Sequence, residues 1–102
     1  MSNMFNMLKK AQEMQKGLKT VQDELARTEV SGSAASGAVE VTMNGTHEIV
    51  RVSIKPDAVD SDDLGMLEDL VKVACNDALA KANELAKAKM SAVTGGLGIP
   101  GF

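Results

Sequence analysis

Residues 39–54 read VEVTMNGTHEIVRVSI, and the fold turns on how the two halves of this stretch pair. Val39, Val41 and Met43 alternate with Glu40 and Thr42, the period of a half-buried strand. Val50, Val52 and Ile54 alternate in the same way with Arg51 and Ser53. Asn44-Gly45 between them is a strong hairpin signal. A two-residue turn would set Val41 opposite Glu48. A four-residue loop from Asn44 to His47 instead sets Val41 opposite Val50 and Val39 opposite Val52, and this longer loop is the register expected. Upstream, Gly and Ser around positions 31 to 37 mark a turn, and Glu29 to Ser33 adds a third, edge strand to make an antiparallel meander.

A long helix flanks this sheet on each side. Ser2 or Asn3 can cap the first, which runs to about Arg27. Met4, Met7, Ala11, Met14, Leu18, Val21 and Leu25 are spaced 3, 4, 3, 4, 3 and 4 apart, a heptad seam made to pack on another helix or a small sheet. Gly17 interrupts this helix at a cost of about 1 kcal/mol relative to Ala, and beyond the option of a close helix contact the sequence offers no reason for it. After the sheet, Pro56 blocks strand continuation and the acidic run from Asp60 to Asp63 suits a helix N-terminus. The second helix runs from about Asp63 to about Val93, with Leu64, Leu67, Val71, Ala74, Ala78, Ala82 and Leu85 along one side. The last residues, TGGLGIPGF (94–102), read as a flexible Gly-rich tail. The expected fold class is α+β: long N-terminal helix, small three-stranded β-meander, long C-terminal helix, in a single domain over residues 1–102.

The chain has 102 residues, two phenylalanines and no Trp or Tyr. Its apolar side chains are mostly Ala, Val, Leu and Met, which suit helix packing better than a thick aromatic core. A core this light often gains burial by oligomerising. Helices of about 24 and 30 residues are roughly 36 and 45 Å long, against roughly 24 Å for a 7-residue strand. Both helices must overhang the sheet, and the ends free to project are the start of the first and the end of the second.

Charge follows the same division. Residues 1–21 hold Lys9, Lys10, Lys16 and Lys19 against Glu13. Residues 22–80 hold 4 basic and 12 acidic side chains, and residues 81–102 hold Lys81, Lys87 and Lys89 against Glu84. An acidic chain of formal charge −3 therefore carries its positive charge at the two projecting ends. Lys late in a helix complements the macrodipole, whereas Lys9 and Lys10 run against it, which makes that pair the informative one. In a dimer the patch would reach about +10, enough to attract a phosphate backbone through counterion release. Arginine, the bidentate reader of guanine, occurs only as Arg27 and Arg51. Aromatic platforms for stacking single-stranded bases are missing. Duplex is favoured, and base readout is expected to be weak.

Catalysis finds no support. His47, the only histidine, has no second His or Cys at metal-ligand spacing. No Gly-rich loop follows a strand and opens a helix, and Asp60 to Asp63 lack the EF-hand pattern. Cys75 lies in an apolar helical stretch, the setting of an inert thiol, and excludes an intramolecular disulfide. No apolar run approaches the ~20 residues of a membrane span. The N-terminus lacks the apolar core of a signal peptide. The expectation is a soluble protein of a reducing cytoplasm, with no cofactor, no metal, no membrane and no small-molecule substrate.

Val39 to Ile54, then MLEDLVKVACNDALAKANELAKAKM (66–90), then TGG with a terminal PGF, resemble the YbaB/EbfC family of bacterial nucleoid-associated proteins. The N-terminal heptad helix rich in Met, Gln and Lys is similar too. The resemblance implies a homodimer joined through the sheet region, with paired helices projecting as arms. It also implies duplex DNA binding of low sequence selectivity in the nucleoid, with roles in nucleoid organisation and gene regulation. By region and charge, the implied DNA-binding residues are Lys9, Lys10, Lys16 and Lys19 on the first helix and Lys81, Lys87 and Lys89 on the second. Asn76 and Asp77 match the family's NDA segment and are expected to make a structural polar contact near the dimer interface. Lys55 departs from the acidic residue the family often has before the proline, and the connector around Ser61 is slightly longer. The alternative is a protein-interaction module that grips a partner with its heptad helices.

Overall fold

The computed structural model describes residues 2–94, and the expected tail falls from residue 95 on outside the described residues. The order is α1 (Ser2–Arg27), β1 (Glu29–Ala34), β2 (Val39–Asn44), β3 (Ile49–Ile54), a 3-10 turn at Pro56–Ala58, and α2 (Leu64–Thr94). The three strands form one antiparallel sheet in sequence order. The molecule is a rod of 73 × 23 × 17 Å. The sheet sits toward one end because the helices are far longer than the strands.

α2 lies across β1 and β2 by way of an alanine stripe. Ala74, Ala78 and Ala82 are fully buried against Val39 and Val41, with Ala34 and Met43 beside them. Small side chains let the helix backbone descend onto the sheet, and Gly32 on β1 completes the fit. A Cβ there would stand 2.2 Å from the Ala78 nitrogen and 2.4 Å from the Ala74 carbonyl oxygen. At the start of α2 the Asp63 carboxylate accepts a hydrogen bond from the Met66 amide (3.2 Å), which makes it the cap. Leu64, placed on the apolar side by its spacing, is exposed because it precedes the sheet contact.

The hairpin register differs from the one expected. Val41 pairs with Val52 and Val39 with Ile54, two residues beyond the Val50 and Val52 partners that the four-residue loop implied. Two local features account for this. Asn44 remains in the strand: its amide donates to the Glu48 carbonyl (2.9 Å), and its side-chain oxygen accepts from the amides of Thr46 and Glu48 (3.0 Å each). The loop thus closes over three residues, with His47 in the left-handed region (φ 71°), a known form of three-residue hairpin. A bulge at Val50 then supplies the second residue of shift, between the Met43–Ile49 and Thr42–Arg51 pairs.

The second difference concerns β3. All six of its residues are exposed in the single chain, so it is not the half-buried strand its alternation suggested. α2 covers β1 and β2 and stops short of the third strand. Val52 and Ile54 share the face of Val41 and Val39 by pairing, but they lie beyond the helix. Ile49, Val50, Val52 and Ile54 keep 40–54% of their surface exposed.

Candidate nucleic-acid interface

The two edges of the sheet are treated differently. On β1, the outward amide of Ser33 donates to the Asp77 carboxylate (3.0 Å), and the outward carbonyl of Ser31 accepts from Lys81 Nζ (3.0 Å). Lys81 also pairs with Asp77 at 3.2 Å, one helical turn away. These two α2 side chains blunt the β1 edge by taking up backbone groups that another strand would need. The Ser33 amide, and after it the Lys81 ammonium, hold the Asp77 carboxyl below the usual aspartate value of 3.8. Among the described residues no such cover lies over β3, which combines an open edge with an uncovered apolar row.

α1 reaches the body through the hairpin. The Gly45 amide donates to the carbonyls of Leu25 (2.8 Å) and Thr28 (3.0 Å), fixing the C-terminal end of the helix beside β2. From there α1 runs back antiparallel to the second half of α2, with Lys89 bound to Glu24 at 2.9 Å. Gly17 lies at this helix contact, 3.1 Å from a would-be Cβ to Val93 Cγ1. α2 ends one residue later at Thr94. Residues 2–16 of α1 therefore project beyond the end of α2 by roughly 22 Å.

The seven candidate lysines separate into distinct settings. Lys9 and Lys10 lie on the projecting segment and Lys16 at its base. Lys19 lies where the two helices run together, as does Lys87 on α2. None of these five makes an ion pair among the described residues. Lys89 is engaged with Glu24 across the helix pair. Lys81 lies back over the sheet as an edge cover, well away from the arm. Sequence spacing carried a signal for Lys81, since Asp77 and Lys81 stand at i and i+4. None was available for Lys89, whose partner is 65 positions away.

A third feature was missed by sequence reading. Phe5, Lys9, Gln12, Lys16 and Lys19 step by 4, 3, 4 and 3, so they form a stripe within about 80° of arc at ~100° per residue. The heptad seam lies on nearly the opposite side of the helix. The contact with α2, made by Gly17, Val21 and Glu24, lies off the stripe and shares Val21 with the seam. Phe5 and Leu8 keep 60–70% of their surface exposed at the tip of this stripe.

A small α+β body bearing a basic helical arm is the class of structure defined so far, and comparison with known proteins places it. The chain belongs to the YbaB/EbfC DNA-binding family, whose model matches residues 1–97. It is 46% identical over 100 residues to a nucleoid-associated protein of Clostridium acetobutylicum, covering 98% of this chain and 89% of that one. It is 48% identical over 101 residues to a nucleoid-associated protein of Acetivibrio thermocellus, with the same coverage of 98% and 89%. Among solved structures, an uncharacterized protein from Helicobacter pylori shares the fold, with a TM-score of 0.70 at 22% identity over 86% of this chain and 89% of that chain. Among the described residues no helix is long and apolar enough to cross a membrane.

Proposed function

We propose that this protein is a nucleoid-associated homodimer that binds duplex DNA with low sequence selectivity through the lysines of its α1 arms. One observation carries the reading: Lys9, Lys10 and Lys16 make no ion pair among the described residues and stand on a helix that extends past its packing partner, in a chain of a DNA-binding family. Lysine acts as a point charge on phosphate rather than as a bidentate reader of bases. Lys19 and Lys87 extend the same field along the helix pair. Lys89 and Lys81, already neutralised by Glu24 and Asp77, contribute less. The acidic body repels the duplex and so sets which end of the molecule docks. Binding of this kind acts on nucleoid organisation, and on gene regulation through occupancy of the duplex.

The dimer in this reading forms through β3. Its free edge, its uncovered apolar row and the blunted β1 edge all direct a second copy to the same side of the sheet. Pairing two copies there would bury Ile49, Val50, Val52 and Ile54 and supply the core that one chain lacks. The relatives' descriptions place those proteins with the nucleoid, and a cytoplasmic, nucleoid-bound location is the corresponding reading for this chain.

The test is charge reversal on the arm. Lys9→Glu with Lys16→Glu should weaken binding to two unrelated duplexes equally and flatten the salt dependence, while Lys81→Gln should leave both nearly unchanged. Unaltered affinity in the double variant would remove α1 from the interface. A second reading has one observation in its favour: Met4 and Met7, at the outer end of the heptad seam, remain open beyond α2. On that reading the seam holds a protein partner, and a pull-down that survives nuclease and high salt would support it.

A further inference from the structure

The tip of α1 has an arrangement that phosphate binding does not use. Residues 2–8, SNMFNML, contain no charge. Met4, Phe5, Met7 and Leu8 keep 60–72% of their surface exposed, more than any other large apolar side chains among the described residues. Phe5 is not part of the heptad seam. It lies in line with Lys9, Lys16 and Lys19 on the outward side of the helix, so whatever those ammonium groups meet, the Phe5 ring meets too. Leu8 stands beside it, between the stripe and the seam.

A phenyl ring placed in line with phosphate-binding cations suits one kind of occupant. Apolar wedges such as Phe, Leu and Met enter between base steps from the minor groove, partly unstack them and kink the duplex. Lysines along the same helix face then hold the flanking phosphates. We infer that Phe5, supported by Leu8, is a wedge that inserts into duplex DNA when the arm lysines dock, so that each bound arm bends the DNA. The inference rests on the proposed DNA-binding reading and adds to it a deformation step. It also reconciles an exposed aromatic ring with weak base readout, because a wedge favours flexible pyrimidine–purine steps without reading base edges.

The experiment uses the full chain with a 30-bp duplex carrying a donor and an acceptor dye at its two ends. The wild-type protein should raise energy transfer between the dyes. Phe5→Ala should abolish most of that rise and weaken binding by about tenfold, while the slope of affinity against salt stays at the wild-type value. Phe5→Trp should restore the bend. Because the chain has no other Trp, its emission reports on the arm tip alone and should be quenched by DNA. Helicity at 222 nm checks that each variant keeps its fold. If Phe5→Ala bends DNA like the wild type, or the Phe5→Trp emission does not change with DNA, the wedge is overturned and phosphate-led binding stands. If that emission shifts with protein concentration alone, the ring covers a second copy and the wedge is overturned. If the wild type fails to bind even at low salt, the DNA-binding reading falls and the wedge with it.

Discussion

Replacing Gly32 by alanine should destabilise the fold far more than the same change at Gly17, although both glycines lie at close contacts. At Gly32 the added methyl would stand 2.2 Å from the Ala78 nitrogen, 2.4 Å from the Ala74 oxygen and 2.8 Å from the Ala78 Cα. Ordinary carbon contacts are about 3.5–4.0 Å, so α2 must lift from β1 by more than an ångström. The obstructing atoms are helix backbone and cannot turn aside. Lifting the helix loosens the contacts of Ala74, Ala78 and Ala82 with Val39 and Val41, all fully buried. It also stretches the Ser33–Asp77 bond of 3.0 Å. Overpacking costs roughly 1–3 kcal/mol and exceeds that when backbone must move, while removing a strand glycine returns about 0.5–1 kcal/mol. The expected net loss is about 2–3 kcal/mol, or roughly a 15 °C fall in Tm for a domain of this size. At Gly17 the nearest atom is Val93 Cγ1 at 3.1 Å, a side chain that can shift, and alanine gains about 1 kcal/mol of helix propensity. Gly17→Ala should leave Tm level or raise it by a few degrees. Thermal unfolding followed at 222 nm, at one protein concentration because oligomerisation affects Tm, decides the matter. A Gly32→Ala protein within about 0.5 kcal/mol of the wild type would mean that the alanine stripe is not seated on β1.

Two further predictions concern the sheet edges. Val52→Glu places a charge in the uncovered row of β3 and should raise the dimer dissociation constant about 100-fold, from roughly 1.5 kcal/mol of lost burial per copy; sedimentation would then show a 10.7 kDa species where the wild type gives twice that mass, and an unchanged dimer would move the interface elsewhere. Asp77 has a folded pKa below its unfolded value, so its contribution to stability is present above the unfolded pKa and lost as pH falls through the folded one. Its carboxylate should titrate below 3.8 by NMR, and Asp77→Asn should flatten the acid limb of the stability curve; a midpoint at or above 3.8 would contradict the Ser33 and Lys81 contacts.

Element types were legible because periodicity carries them. The 3-4 spacing of α1, the alternation in β2 and the alanine stripe of α2 each have one reading, whereas Gly17 carried no reason of its own beyond the option of a close helix contact. What sequence left out depends on three-dimensional closure. Asn44-Gly45 announced a hairpin, but its register was set by His47 in the left-handed region and by a bulge at Val50, neither of which is a pattern along the chain. The alternation in β3 was real, yet alternation does not say whether the covering helix belongs to the same chain. Lysines look alike in sequence: Lys9 has no ion pair among the described residues, Lys81 covers a strand edge, and Lys89 finds Glu24 only after the helices pair. The in-line placement of Phe5 with the lysines was present in the spacing but hidden by the stronger heptad pattern beside it.

Phosphate-led binding by the arm stands or falls on a fluorescence-anisotropy titration of the wild-type protein on a labelled 30-bp duplex at several salt concentrations. Affinity should be micromolar or tighter at low salt and little changed by scrambling the sequence. Affinity should fall linearly on a log–log salt plot with a slope of about −4 to −7 for four to eight engaged lysines. A flat salt dependence, or no binding at low salt, would contradict it.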